Sequence, residues 1–245
     1  MLKYPLSTLL YLAKINIKDT IQDALKLKNN IDIRLTITVK DKNGKIIRQH
    51  KQRSHSFVSN FLAIISSLLT NQYSQSYNYY YIFRNTAGSY ETFPTSPSYT
   101  NIIAINSVAG DTSYGIVVGT GTATPTPNDY NLGNKILNGT GSGQLEYSAH
   151  TFTPNYNNGT YNSSSPTSIG VLPVLGNTTS IQISRQFTNQ SGASITVSEV
   201  GIITLTSTEA AITDHALIIH DLLSSPVTVP NLSILQITYT ISVTT

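Results

Sequence analysis

The sequence predicts a mainly β chain: a β-sandwich or jelly-roll-like domain with a short N-terminal helical arm and one further amphipathic helix. Three observations predict it. Only 11% of residues are charged while 39% are hydrophobic, and Ser, Thr, Asn and Tyr supply the polarity. That mixture suits pleated strands and turns better than helices. Period-two alternation of apolar and polar residues recurs along the chain, and clusters of Gly, Pro, Asn and Ser separate these runs. The 245 residues suffice for one large β domain or two small ones. They divide into a basic helical arm, 1–30, and a sandwich-like domain, 31–245.

The elements follow in order. In KDTIQDALKLK (18–28), Ile21, Ala24, Leu25 and Lys28 lie near one face at helical spacing. A hairpin over 31–50 comes next. Ile31, Ile33, Leu35, Ile37 and Val39 alternate with polar residues, DKNG supplies the turn, and KIIRQH begins the return strand. A helix is expected over 55–70, with Phe57, Phe61, Ile64, Ile65 and Leu68 as one core-facing stripe and Ser54 or Ser56 as its cap. The segment 71–100 is rich in tyrosine, which joins an apolar ring to a polar tip at low entropic cost. Tyr77, Tyr79, Tyr80 and Tyr81 are therefore candidate assembly contacts, and a long loop packed on its own aromatics is the competing reading. Stacking on nucleic-acid bases fits less well, because the basic residues lie elsewhere. Beyond Ile102, YGIVVG, SIQISRQF, ASITVSEVGIITLT, HALIIHDLL, PVTVP and SILQITYTISVTT read as short strands. The polar, low-complexity stretch 138–168 reads as an exposed insert.

One stretch invites a catalytic reading. GIVVGTGTATPTPNDYNLGNKI (115–136) runs an apolar strand into closely spaced glycines, as phosphate-binding loops do. Such loops work because the glycines open a helix whose first amides face the anion. Here Pro125 and Pro127 hold the residues before them extended, and no Gly-Lys-Ser/Thr follows. Gly119 and Gly121 are read instead as a structural turn, as are Gly201, Pro226 and Pro230. The five histidines form no His-Glu-x-x-His pattern, and no Gly-x-Ser-x-Gly elbow occurs. His215 and His220, an odd number of residues apart, are expected on opposite faces of a strand, which would keep them from sharing a metal. The acids look sparse and unpaired. The chain has no cysteine, which excludes a disulfide framework, a thiolate metal site and a Cys nucleophile. These observations predict neither an enzyme nor a cofactor, and no small-molecule substrate.

Charge is segregated. Twelve of the fifteen Lys and Arg lie within residues 1–53 against four acids, which leaves that segment at about +8 and the rest at about −5. Lys40, Lys42, Lys45, Arg48, Lys51 and Arg53 are candidate anion-facing residues, toward genomic DNA or an anionic membrane; a solvated basic face is the bland alternative. Neither LSTLLYLA (6–13) nor FVSNFLAIISSLL (57–69) reaches the roughly 20 residues of a membrane span, and no small-residue cleavage site follows the first. Six Asn-x-Ser/Thr sequons, at Asn138, Asn158, Asn162, Asn177, Asn189 and Asn231, are candidate glycosylation sites.

Several stretches, in this order, resemble virion structural proteins of tailed phages and archaeal viruses, of the tail, adaptor and nozzle class. They are VKDKNGKIIRQHKQRSHSFVSNFLAII, IVVGTGTATPTPNDYNL, FTNQSGASITVSEVGI and ALIIHDLLSSPVTVPNLSILQITYTI, together under half the chain. The resemblance implies assembly rather than catalysis. It implies a homo-oligomer, with a ring as the expected form, other virion proteins as partners and location in the virion. Gly119, Gly121, Glu199, Gly201, Asp221, Pro226, Pro230 and Tyr239 would then be shape-determining. Sparse carboxylates with many Asn, Tyr and Ile are similar to proteins of viruses of acid-living thermophilic archaea, although abundant Asn argues against heat. The alternatives are a cell-surface or pilus-like sandwich subunit and a carbohydrate-binding module with Tyr77 to Tyr81 as its aromatics.

Overall fold

The computed structural model describes residues 30–54, 56–70, 82–93, 103–155, 178–207 and 213–244. Contacts group the chain into two compact units, one of residues 33–153 and 182–240, the other of 1–32, 154–181 and 241–245. Of the second unit, the described residues are the outer ends of four strands. Residues 1–29 of the basic arm, Tyr77 and Tyr79 to Tyr81 lie outside the described residues.

The elements are β1 (Asn30–Lys40), β2 (Ile46–Arg53), α1 (Ser59–Thr70), β3 (Ile82–Arg84), β4 (Tyr90–Thr92), β5 (Ile103–Ala104), β6 (Gly115–Gly119), β7 (Glu146–Asn155), β8 (Thr178–Thr188), β9 (Ile195–Ser207), β10 (Thr213–Val229) and β11 (Ile234–Thr244). The fold is mainly β, built of antiparallel sheets. A five-stranded sheet has the order β2-β1-β11-β8-β7. A second sheet has the order β10-β9-β5, with β6 also paired to β9, and β3 with β4 makes a small ribbon. No helix among the described residues is long and apolar enough to cross a membrane.

Alternation places the core. Ile33, Leu35, Ile37 and Val39 of β1, Leu235, Ile237 and Tyr239 of β11, and Ile183 and Phe187 of β8 are all buried, as are Val200, Ile202 and Ile219 of the second sheet. Each such side chain contributes about 1.5–3 kcal/mol on leaving water. The Tyr239 hydroxyl donates to Asp221 Oδ2 across 2.9 Å, joining the two sheets through the interior in a sandwich-like arrangement.

Four expectations are corrected. First, the helix begins at Ser59. Ahead of it, His220 N donates to Ser56 O and Phe57 bridges Ile219, so this stretch runs along the edge of β10 and neither Ser54 nor Ser56 is the residue at the helix start. Its buried face carries Asn60, Ile64 and Ser67, while Phe61 and Ile65 are half-buried and Leu68 is 50% exposed. The reason is Asn60: its amide donates to Arg84 O and Leu217 O and accepts from Arg84 N. Those bonds to β3 and β10 fix the rotation of α1, since buried amide groups left unpaired are costly.

Second, the insert expected to be a loop over 138–168 contains β7 in its first half, with Leu145 and Tyr147 buried. Tyr147 packs edge-on against Phe187 at 4.7 Å, an aromatic contact that composition alone does not reveal. Residues 156–168 lie outside the described residues. Third, HALIIHDLL and PVTVP are not two strands but one, β10, with a break in register between Leu222 and Val227. Pro226 sits in that irregularity, where no ladder N–H is required of it. Fourth, His215 and His220 share a face. His215 pairs with Leu205 and His220 with Gly201, four apart on β9, because a bulge between Leu217 and Ile219 adds one residue and restores the parity.

Candidate functional site

The most concentrated chemistry gathers where the glycine loop after β6 meets β9 and β10. The loop does cradle an anion, but the anion is the chain's own. Glu199 Oε1 accepts from Gly121 N at 2.9 Å and Asn134 N at 2.8 Å, and Oε2 accepts from Gly133 N at 3.0 Å. His220 Nε2 is 2.9 Å from Glu199 Oε2, and His220 Nδ1 is 2.6 Å from Asp129 Oδ2. Asp129 also accepts from Thr126 N and Thr126 Oγ1, which folds the Pro125–Pro127 turn onto the site. The expectation that the acids are unpaired is thereby corrected: two of them flank one buried imidazole.

The glycines are there for space. Neither Gly119 nor Gly121 has positive φ. A Cβ on Gly119 would stand 2.7 Å from Asn134 O, and one on Gly121 2.7 Å from Glu199 Cδ. Gly201, expected in a turn, instead lies within β9, where its Cβ would stand 2.9 Å from Leu132 and 3.1 Å from Ile219 O. Gly119 and Gly121 are required for close approach of the backbone to the Glu199 carboxylate, and Gly201 for close packing against Leu132 and β10.

The electrostatics are consistent. Burial alone would raise the Glu199 pKa, but the bonds from His220 and from the amides of Asn134, Gly133 and Gly121 outweigh it and hold it below the usual carboxylate range. For Asp129, too, burial would raise the pKa, and the bonds from Thr126 and His220 together outweigh it and hold it low. For His220, burial would lower the pKa, and the two carboxylates overcome it and raise it. Each ring nitrogen faces a carboxylate oxygen, so the geometry favours the protonated ring, which donates to Glu199 and Asp129 at once. With both nitrogens engaged by carboxylates, the triad is a clasp joining β9, β10 and the loop.

A second group resembles a nucleophile–base pair. Ser107 Oγ lies 3.2 Å from His150 Nδ1. Ile116 N, however, donates to His150 Nε2 at 2.8 Å, so the ring proton is on Nδ1, facing Ser107. That tautomer cannot take a proton from Ser107. Burial, followed by the nearby Arg185 charge, pushes the His150 pKa down to about 4, so the ring stays neutral.

Arg185, 1% exposed, is the third feature. Its Nε donates to Ser148 O, Nη1 to Ile116 O and Tyr114 O, and Nη2 to Val108 O and Asp111 O, with the guanidinium 4.7 Å over the Tyr147 ring. Burial pushes its pKa down to about 10. One side chain on β8 thereby pins β6, β7 and the 108–111 turn.

The remaining sites singled out in the sequence are scattered. Lys42, Lys45, Arg48, Lys51 and Arg53 are exposed on the β1–β2 hairpin, and Lys40 donates to Gln236. Asn138 and Asn231 are exposed. Asn189 is corrected as a glycosylation candidate: it is fully buried, and its Nδ2 donates to Ala193 O and Val229 O, leaving no accessible amide. Asn158, Asn162 and Asn177 lie outside the described residues. Pro230 O accepts from Ser233 N in the turn before β11.

The sequence reading missed the clasp because its members are far apart and a bulge reverses the parity of His220. Arg185 did leave a signal: it occupies the inward position between Ile183 and Phe187. No protein-family model, curated protein or solved structure matches the chain.

Proposed function

We propose that this chain is a structural subunit of a larger assembly, a homo-oligomer built through repeated contacts of its β domain, with a virus particle as the assembly and a tail-, adaptor- or nozzle-type position within it. One observation supports the structural reading. Among the described residues, ionisable side chains in and beside the interior hold the framework: Glu199, His220 and the half-buried Asp129 hold one another and loop amides, Arg185 holds five carbonyls, and Asp221 holds Tyr239. A framework cross-linked in this way suits a rigid building block. The virion as the destination rests on the sequence resemblance.

The assembly reading is tested by light scattering and electron microscopy of the purified full chain. A closed symmetric oligomer is the expected result, and a monomer at every concentration would overturn it. Detection of the chain at stoichiometric levels in purified particles tests the destination separately.

A further inference from the structure

The described basic residues are concentrated on one hairpin. Arg34, Lys42, Lys45, Arg48, Lys51 and Arg53 are all exposed on β1, β2 and their turn. β2 is the edge strand of the five-stranded sheet. Register sorts its side chains. Gln52, His50 and Arg48 pair with the buried Leu35, Ile37 and Val39, so they belong to the inner face, where His50 meets Ser224 and Arg48 meets Ser225. Lys51 pairs with Thr36 and Arg53 with Arg34, on the outer face. The cations therefore project to both sides of one strand edge. Eight residues of strand, extended by the turn lysines, form a row about 26 Å long or more. The acid inside the turn, Asp41, is engaged: its Oδ1 accepts from Asn43 N and Lys45 N.

We propose that the β1–β2 hairpin is a docking edge for duplex nucleic acid, held through its phosphates without reading sequence. A linear row of cations complements a linear polyanion, whereas an anionic bilayer presents a plane. The exposed apolar residues of the return strand, Ile46 and Ile47, are consecutive and point to opposite faces, so they form no single face to insert into lipid. Residues 30–53 contain no Phe, Tyr or Trp, so the hairpin lacks the stacking platforms that hold single strands. The inference stands independently of the assembly reading.

The experiment uses the full chain and a fluorescent duplex of about 30 bp, titrated between roughly 50 and 200 mM salt, because phosphate contacts show as a log–log salt slope near −0.9 per contact. The comparison protein is the triple variant Lys42→Gln, Lys45→Gln, Lys51→Gln, with each single variant alongside it and thermal unfolding to confirm the fold. The triple variant is expected to bind about tenfold or more weakly, equally on two unrelated sequences, with a slope shallower by roughly 3. Failure of the wild type to bind duplex at low salt overturns the proposal. So does a folded triple variant, or a set of single variants, that binds as the wild type does. Preference for phosphatidylserine vesicles over the duplex overturns it in favour of a membrane.

Discussion

Glu199 Oε2 and His220 Nε2 lie 2.9 Å apart in the interior, on neighbouring strands, and the same carboxylate is closed off by three amides of the glycine loop. An ion pair so enclosed is costly to break from one side, because the remaining partner stays buried. Glu199→Gln should lower stability by about 3–5 kcal/mol, read from urea midpoints. A loss below about 1 kcal/mol would mean that the clasp is relaxed in solution.

The loop glycines should respond through that carboxylate. Gly121→Ala places a methyl group against Glu199 and should cost about 1–3 kcal/mol. In a Glu199→Ala background the same change should cost less, since the clashing group is gone. Equal costs in both backgrounds would show that the glycine is needed for another reason. Calorimetric titration with ATP should give no saturable heat, because the loop's amides at Gly121, Gly133 and Asn134 are already occupied.

Two histidines should shape the pH dependence of stability in opposite senses. His220 has a raised pKa, so its contribution is complete below the unfolded value of 6.5 and is lost as pH rises through the folded value. His150 has a folded pKa of about 4, so the unfolded chain takes up its proton first and stability falls as pH drops from 6.5 toward 4. The half-buried His215, also lowered by burial, acts in the same direction as His150. The lowered pKa values of Asp129 and Glu199 add a further loss at the acid end. Thermal midpoints across pH should show His150→Gln flattening the acid limb and His220→Gln flattening the alkaline one. Unchanged limbs in both variants would rule out this assignment.

Arg185→Met should be more damaging than any change on the exposed basic hairpin. It orphans carbonyls on three segments, and each buried polar group left unsatisfied costs about 1–3 kcal/mol. Arg185→Lys should recover little, because one ammonium cannot reproduce the planar fork that reaches Ser148, Ile116, Val108 and Asp111 together. Denaturant midpoints for both variants, compared with Lys42→Gln, give the ordering.

Asn189 should remain unmodified when the chain is expressed in a glycosylating host, while Asn138 and Asn231 are exposed to the transferase. Peptide mass mapping reads this directly. Asn189→Asp replaces the amide donor to Ala193 O and Val229 O and should destabilise the fold by about 1–3 kcal/mol.

The sequence by itself determined the strand class and much of the order. Alternation from Ile31 to Val39 and the DKNG turn mark the hairpin, and Tyr239 between Ile237 and Ile241 marks an inward position on β11. These signals are local, because side-chain period is written in adjacent residues. Tertiary structure decided the rest. A bulge at Leu217/Ile219 turned His220 toward Glu199. A single buried amide at Asn60 set the rotation of α1 against its more apolar stripe. Asp129 reached His220 across 91 positions of sequence. Which buried charges meet depends on register, and register is fixed by pairing between distant strands, so it is not carried by the residues on either side of each charge.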